Sequence, residues 1–153
     1  MTIATALARD ELEVPNVLVT GTAASLAQDI VVGRHRLTAD EPAVAGGTDR
    51  GAGPYDLLLA ALGACTSMTL SLYARRKQWP LVRVVVRLRH AKIYAIDCAT
   101  CETREGMVDH IERDVELVGN LDVNQRARLL EIANRCPVHR TLSSKVDIRT
   151  SLV

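Results

Sequence analysis

Aromatic side chains and net charge are both scarce in this chain. It contains no Phe, three Tyr and one Trp among 153 residues, and its formal net charge is +1 at pH 7. Proteins that bind single-stranded nucleic acid stack bases on aromatic side chains, and phosphate-binding surfaces need an excess of Lys and Arg. Because both features are missing, the composition argues against nucleic acid and against acidic membrane surfaces as partners.

The start of the chain lacks the apolar run of a secretory signal. Its first thirteen residues include Arg9, Asp10, Glu11 and Glu13, which would interrupt the apolar core of a signal peptide. We therefore expect a cytoplasmic protein without a membrane segment, folded as a single domain over residues 1–153. In that reducing compartment, the four cysteines are expected to be reactive or metal-binding thiols rather than a disulfide framework.

The longest uncharged stretch predicts a helix. Residues 57–72 carry no charge and are rich in Leu and Ala, without the alternation of a strand. Pro54 suits the first helical position, and Asp56 places negative charge in the first turn. We expect a helix over Pro54–Arg76 with Cys65 in its middle. Its uncharged part is shorter than the ~20 residues that a bilayer needs, so we interpret it as a buried core helix.

Strand signals lie on both sides of this helix. Short β-rich runs before it predict an antiparallel meander, and two long alternating runs after it predict a hairpin. Asp122 and Gln125 form a capping-box pattern that begins a second helix, which ends at Cys136 because Pro137 follows. This order predicts an α+β fold with an antiparallel sheet around two helices. The predicted strands are residues 17–22, 26–32, 81–94, 107–118 and 144–150, and residues 34–37 either extend the second strand or start a third.

Two further cysteines form a C-x-x-C pattern, Cys98-Ala-Thr-Cys101, in the connection between the two long strands. Such a pattern is half of a zinc site or a redox pair. A complete zinc site would require His90, His110 or a second copy of the chain. A loop without any ligand is the commonest outcome for an isolated pattern of this kind, and the three interpretations stay open.

Two motifs together resemble one known family. Residues 53–68 read Gly-Pro-Tyr-Asp-Leu-Leu-Leu-Ala-Ala-Leu-Gly-Ala-Cys-Thr-Ser-Met, and residues 135–139 read Arg-Cys-Pro-Val-His. This combination resembles the OsmC/Ohr family of osmotically inducible and organic-hydroperoxide-resistance proteins, in a less characterised branch. The resemblance implies an OsmC-like fold, with antiparallel sheets wrapped around two long buried helices in an intertwined homodimer. It places the active sites at the subunit interface.

The resemblance also implies a thiol-dependent peroxidase that reduces organic hydroperoxides or hydrogen peroxide. In this scheme Cys65 attacks the peroxide, Cys136 resolves the product, and an external dithiol restores both thiols. No metal or organic cofactor is required. The resemblance nominates Arg36 as the cation beside Cys65, with Arg34 and Arg50 as substitutes. Where the family's peroxidases carry a Glu after the Pro, this chain has Tyr55, and Asp56 is the neighbouring carboxylate for that role.

The departure at Tyr55 keeps a second function open. The alternative is a non-catalytic or weakly active dimeric OsmC-like protein that binds a small apolar ligand at the subunit interface. From the composition alone, the favoured interpretation of Cys65 is a small buried side chain of the core, as free cysteines often are, and Cys136 could likewise be a core residue at a helix end. His139 could lower the pKa of a thiol or be an ordinary surface histidine, and the second interpretation is favoured.

Overall fold

The structure, a computed structural model, describes residues 16–152. The chain divides into two compact units, the first ending at Leu57 and the second beginning at Leu58. The predicted lack of a signal sequence in residues 1–13 concerns a segment outside the described residues. The single domain over residues 1–153 stays a prediction.

The first unit contains a three-stranded antiparallel sheet in the order β1-β2-β3. Its strands are β1 (Leu18–Gly21), β2 (Gln28–Val32) and β3 (His35–Ala39). Gly33 has a φ of 57° in the tight turn between β2 and β3, a conformation in which a residue without Cβ is favoured. The predicted meander is confirmed, and its third run forms a separate strand.

The loop after β3 is organised by one buried carboxylate. Asp40 is only 2% exposed. Its oxygens accept hydrogen bonds from the Thr48 hydroxyl, at 2.7 Å, and from the backbone N–H groups of Glu41, Thr48 and Arg50. The hydrogen bond from Thr48 lowers the pKa of Asp40 and outweighs the opposing effect of burial. Together with the backbone hydrogen bonds, it brings the pKa of Asp40 to about 2. The carboxylate thus joins the start of this loop to Thr48 and Arg50, on the far side of the 3₁₀ turn Ala43–Ala45.

The second unit contains a long hairpin, β4 (Leu81–Tyr94) and β5 (Met107–Gly119), paired antiparallel from Leu81 and Gly119 to Tyr94 and Met107. This matches the predicted pair. Exposed ion pairs cover one face, with Arg87 on Glu116 at 2.8 Å and Arg89 on Glu112 at 2.9 Å. Their exposure makes each a weak contribution to stability. The opposite face carries the apolar side chains.

Three helices complete the fold: α1 (Pro54–Arg76), α2 (Val123–Ala133) and α3 (Pro137–Leu142). The predicted bounds of α1 are confirmed at both ends. The capping box of α2 is present, since Asp122 Oδ1 accepts from the Gln125 N–H at 2.8 Å and Gln125 Oε1 accepts from the Asp122 N–H at 3.0 Å. The main core lies where α1 and α2 meet, and its buried members are Leu70, Ala74, Leu121, Leu129, Ile132 and Ala133.

Helix α1 is only partly buried within one chain. Its buried residues lie along one stripe, Leu62, Gly63, Thr66, Leu70 and Ala74, whereas Met68 is 65% and Leu72 is 53% exposed. By length and composition alone, this helix of 23 residues could cross a membrane, and 28% of its most apolar window is buried. Core helices of soluble proteins can have the same length and apolar composition. The buried stripe of α1 packs in the core. The sequence predicted a helix buried on nearly every face, and within this chain α1 is instead buried along one stripe.

The C-terminal segment corrects the sequence prediction. Residues 144–150 form no strand and are exposed. Alternation of Val146 and Ile148 with charged residues predicts a strand only where a neighbouring edge supplies hydrogen bonds, and no described strand pairs with this segment. Helix α3 was not predicted either, because Pro137 was interpreted only as the end of the preceding helix. It instead occupies the first position of a new one.

Candidate functional site

The structure brings Cys65 and Cys136 together in the second unit. Cys65 lies on α1 and is partly exposed, whereas Cys136 lies between α2 and α3 and is completely buried. Both are free thiols. Cys65 lies close enough to Cys136 to lower the pKa of the Cys136 thiol. As predicted, Pro137 holds Cys136 out of helical conformation, with φ of −62° and ψ of 142°, so its sulfur caps the start of α3.

Thr66, the residue after Cys65, links the thiols to a charged group. Its hydroxyl oxygen accepts a hydrogen bond from Arg113 Nη1 at 2.9 Å, lies 2.7 Å from the Leu62 carbonyl and lies 3.7 Å from Cys136 Sγ. A hydroxyl has only one proton to donate. With Cys136 protonated, Thr66 can donate to Leu62 while the thiol donates to Thr66. Once Cys136 is a thiolate, the Thr66 proton can turn to the sulfur.

Arg113 is the cation at this site, and the sequence prediction missed it. Its Nη2 donates to Asn134 Oδ1 at 2.9 Å, so the guanidinium joins α1 to the end of α2. Arg113 lies opposite Leu88 in the hairpin, on the same face of β5 as Val115 and Leu117. A positive residue at an apolar position of an alternating strand was the signal available in the sequence. The family resemblance instead nominates arginines that precede α1.

The surroundings of Cys136 favour its ionised form. Burial opposes ionisation, but hydrogen bonds from the His139 backbone N–H, the Thr66 hydroxyl and the Cys65 thiol, with the charge of Arg113, together lower the pKa of Cys136. The His139 N–H lies 3.3 Å from the sulfur. Thiolate, rather than thiol, is the nucleophilic form of cysteine. The arrangement therefore prepares a buried Cys136 for nucleophilic attack on a neighbouring group.

His139 is not the surface histidine that was favoured from the sequence. Its side chain is partly buried, and burial, together with the positive charge of Arg113, lowers the pKa of His139. The imidazole is consequently neutral at neutral pH. It leaves the positive charge near the thiols to Arg113, and it contributes to the site through its backbone N–H.

A cavity of about 390 Å³ adjoins this cluster. Neither cysteine lines it, but Arg113 and His139 belong to both the cavity wall and the cluster. Its surface is mixed, with aliphatic side chains on one part and polar or charged ones on the rest. The lining residues are Leu62, Ile111, Leu142, Asp109, Arg113, Asn134, His139 and Ser143. Such a site suits a small molecule with an alkyl group and a polar end.

The other predicted site residues lie in the first unit. Arg36 is an exposed residue of β3, opposite Val31, and Arg34 and Arg50 are also exposed. Asp56 is in the first turn of α1, where its Oδ2 accepts from the Gly53 N–H at 3.2 Å. The nine residues from Asp56 to Cys65 span about 13 Å along a helix. The roles of Arg36 and Asp56 beside Cys65 stay predictions.

Cys98 and Cys101 form a disulfide, with their Cα atoms 5.5 Å apart. This corrects the expectation that all four cysteines are thiols or metal ligands; a closed pair is the oxidised form of the redox pair that the sequence left open. Within residues 16–152, no group of three or more His, Cys, Asp and Glu side chains could hold a metal ion. His90 and His110, the proposed zinc ligands, instead lie 2.9 Å from Asp109 and 3.7 Å from Glu112.

Comparison with known proteins identifies the family. The family model described as OsmC-like protein matches residues 47–151, which include both free cysteines. The chain belongs to the OsmC-like protein family. No curated protein sequence matches this OsmC-like chain at a significant level.

Solved structures share the fold of this OsmC-like protein. The OsmC-like protein of Mycoplasma pneumoniae is 20% identical, with a TM-score of 0.65 over 83% of this chain and 85% of that one. An organic hydroperoxide resistance protein OsmC of Legionella pneumophila is 18% identical, with a TM-score of 0.61 over 88% and 93% of the two chains. Organic hydroperoxide resistance protein OhrB of Bacillus subtilis is 21% identical, with a TM-score of 0.58 over 86% and 91%. At these identities the likeness shows the α+β fold with antiparallel sheets.

Proposed function

We propose that this OsmC-like protein is a thiol-dependent peroxidase that reduces organic hydroperoxides or hydrogen peroxide. The observation that carries the proposal is the pair of adjacent free thiols, Cys65 and Cys136, beside Arg113 and a cavity of about 390 Å³. Two solved structures of the same fold are named as organic hydroperoxide resistance proteins, which supports the substrate class.

Exposure distinguishes the two cysteines in the first step. Cys65 is partly exposed and Cys136 is completely buried, so Cys65 is the sulfur that a peroxide can reach. The Cys65 thiolate attacks the outer oxygen of the hydroperoxide and the O–O bond breaks. An alcohol, or water from hydrogen peroxide, leaves after taking up a proton, and Cys65 becomes a sulfenic acid. The aliphatic side chains of the cavity hold the alkyl group of an organic substrate.

The second step uses the lowered pKa of Cys136. Its thiolate attacks the sulfenic sulfur of Cys65, a disulfide forms, and the hydroxyl group leaves as water after protonation. Thr66 donates to the Cys136 thiolate before attack, and Arg113 balances its charge. An external dithiol then reduces the disulfide through a mixed disulfide and is itself oxidised. Neither step needs a metal ion or an organic cofactor.

We also propose that the protein works as a homodimer. The exposed side of α1 includes Met68 and Leu72, at 65% and 53% exposure, and a second copy would cover it. Buried aliphatic surface contributes about 25 cal/mol per Å². Contact between two such helices would enclose α1 as the family resemblance predicts.

The alternative is a dimeric protein of this fold that binds a small apolar ligand and turns over peroxide weakly or not at all. Tyr55 favours this alternative, because it occupies the position of the family's Glu and is 50% exposed at the start of α1. The two functions differ in what peroxide does to Cys65, and one experiment distinguishes them.

The test is treatment of the reduced protein with one equivalent of cumene hydroperoxide, followed by rapid alkylation and peptide mass mapping. The proposal expects a Cys65–Cys136 disulfide and loss of peroxide. Cys65→Ser should consume no peroxide, because a hydroxyl forms no nucleophilic anion at neutral pH. Cys136→Ser should react once and then accumulate Cys65 sulfinic acid under excess peroxide. Unmodified cysteines in the wild type, with peroxide unconsumed, would favour the ligand-binding alternative.

A further inference from the structure

The second cysteine pair lies in the connection between β4 and β5, at the end of the hairpin. This connection begins with the 3₁₀ turn Ala95–Asp97, which Cys98 follows, its N–H donating to the Ala95 carbonyl at 3.2 Å. Cys98 and Cys101 are both partly exposed, and Ala99 and Thr100 between them are exposed. The disulfide is therefore on the surface of the second unit, where soluble molecules can reach it.

The disulfide does not hold the hairpin together. Strand pairing extends without it to Tyr94 and Met107, and the Ala95 N–H then donates to the Gly106 carbonyl at 2.8 Å. A disulfide constrains the unfolded chain more when it closes a longer loop, and this one joins residues only three apart. Opening the bond should therefore leave the fold intact, which is the condition for repeated oxidation and reduction.

This pair is also remote from the peroxidatic pair of the same chain. On β5, Met107 begins the strand beside the disulfide loop, and Arg113 contacts the Cys65 and Cys136 cluster. Six residues of strand span about 20 Å. Direct thiol exchange between the two pairs would need bonding contact between sulfur atoms. The partner of Cys98 and Cys101 is therefore a thiol from outside the chain.

We propose that Cys98 and Cys101 form a second redox site, a dithiol–disulfide couple that exchanges with soluble thiols independently of Cys65 and Cys136. A thiolate of the reagent attacks one sulfur, which forms a mixed disulfide and releases the other cysteine as a thiolate. A second thiol of the reagent attacks the mixed disulfide and frees the first cysteine. The site gains two electrons and two protons, and the reagent is oxidised to its disulfide. The chain then carries two separate two-electron couples.

The test uses Cys65→Ser/Cys136→Ser, which keeps only the surface pair. This variant is equilibrated in buffers of reduced and oxidised glutathione, quenched with acid, alkylated and weighed by mass spectrometry, with circular dichroism recorded in parallel. We expect a reversible change between zero and two alkylated cysteines at constant ellipticity. Adding Cys101→Ser should trap one glutathione on Cys98. The quadruple variant, which also carries Cys98→Ser, controls for labelling elsewhere.

Two results would overturn the proposal. In one, the bond stays closed in reduced glutathione until the protein unfolds, as expected of a structural cross-link. In the other, Cys98 and Cys101 stay reduced in fully oxidised glutathione. Cys98→Ser/Cys101→Ser in the otherwise native chain separates this proposal from the peroxidase, because one equivalent of peroxide should still join Cys65 to Cys136. If peroxide joins Cys65 to Cys136 in neither this variant nor the wild type, the proposed peroxidase function fails, and the proposal for Cys98 and Cys101 is not affected.

Discussion

Replacing Arg113 should raise the pKa of Cys136, and the structure sets the size of the change. Arg113 Nη1 lies 2.9 Å from Thr66 Oγ1, which lies 3.7 Å from Cys136 Sγ, so the charge is within about 6.6 Å of the sulfur. At that separation the interaction is about 2.5 kcal/mol at an effective dielectric constant of 20 and about 0.6 kcal/mol in bulk water. Since Arg113→Gln removes this interaction with the thiolate, we expect the substitution to raise the pKa of Cys136.

The kinetic effect of this change is smaller than the pKa shift suggests. A higher pKa lowers the thiolate fraction of Cys136 at neutral pH, but a more basic thiolate is also more nucleophilic. Disulfide formation from Cys65 sulfenic acid should therefore slow, by less than the loss of thiolate alone would give. The slower step gives excess peroxide more time to oxidise Cys65 further, so sulfinic acid should accumulate.

The pKa is measured in a Cys65→Ser background, where Cys136 is the only free thiol, by following thiolate absorbance in the ultraviolet as pH rises. Arg87→Gln is the matched control, because Arg87 is an exposed arginine of the same hairpin, bound to Glu116. Arg113→Lys keeps the charge and should shift the pKa less than Arg113→Gln. An unchanged Cys136 pKa in Arg113→Gln, with the fold retained, would refute the assignment of Arg113 as the cation of this site.

Three further predictions concern stability and assembly. The pKa of Asp40 is lowered from 3.8 to about 2, so its stabilising effect is complete above pH 3.8 and is lost as pH falls toward 2. In Asp40→Asn the denaturant midpoint of unfolding should therefore depend less on pH in this acidic range than in the wild type, and an equal dependence would contradict this. Leu129 is fully buried and Leu130 is 59% exposed. Leu129→Ala should therefore lower the free energy of unfolding, measured with a chemical denaturant, by about 2–5 kcal/mol, whereas Leu130→Ala should stay within about 0.5 kcal/mol of wild type. Equal effects of the two substitutions would argue against this core. The protein should sediment as a dimer at micromolar concentration, and Met68→Glu should weaken it; a stable wild-type monomer would overturn the proposed assembly.

Local sequence signals were sufficient for the regular elements. The uncharged run and its capping residues predicted Pro54–Arg76, and alternation predicted the hairpin of β4 and β5. These signals act within a few residues of the chain, through helix periodicity, end effects and the alternating faces of a strand. Residues 144–150 show the limit of this reasoning, because alternation makes a strand only when another strand supplies its hydrogen bonds.

The sequence and the tertiary structure each supplied part of the candidate site. The resemblance to the OsmC/Ohr family named Cys65 and Cys136 from the sequence, and the structure places these thiols near each other although they are 71 residues apart in sequence. The cation was different: Arg113 reaches the thiols only because β5 packs against α1 and the end of α2, where Thr66 and Asn134 hold its guanidinium.

The sequence by itself determined helices α1 and α2, the hairpin, the family and the identity of the two central cysteines, because these follow from local periodicity or a short motif. Only the tertiary structure decided three further properties: Arg113 as the cation of the site, the lowered pKa of Cys136 and, away from the site, the closure of Cys98 with Cys101. The physical reason is that Coulomb interactions, burial and sulfur–sulfur contact depend on distances in space, and these arise when separate elements pack together.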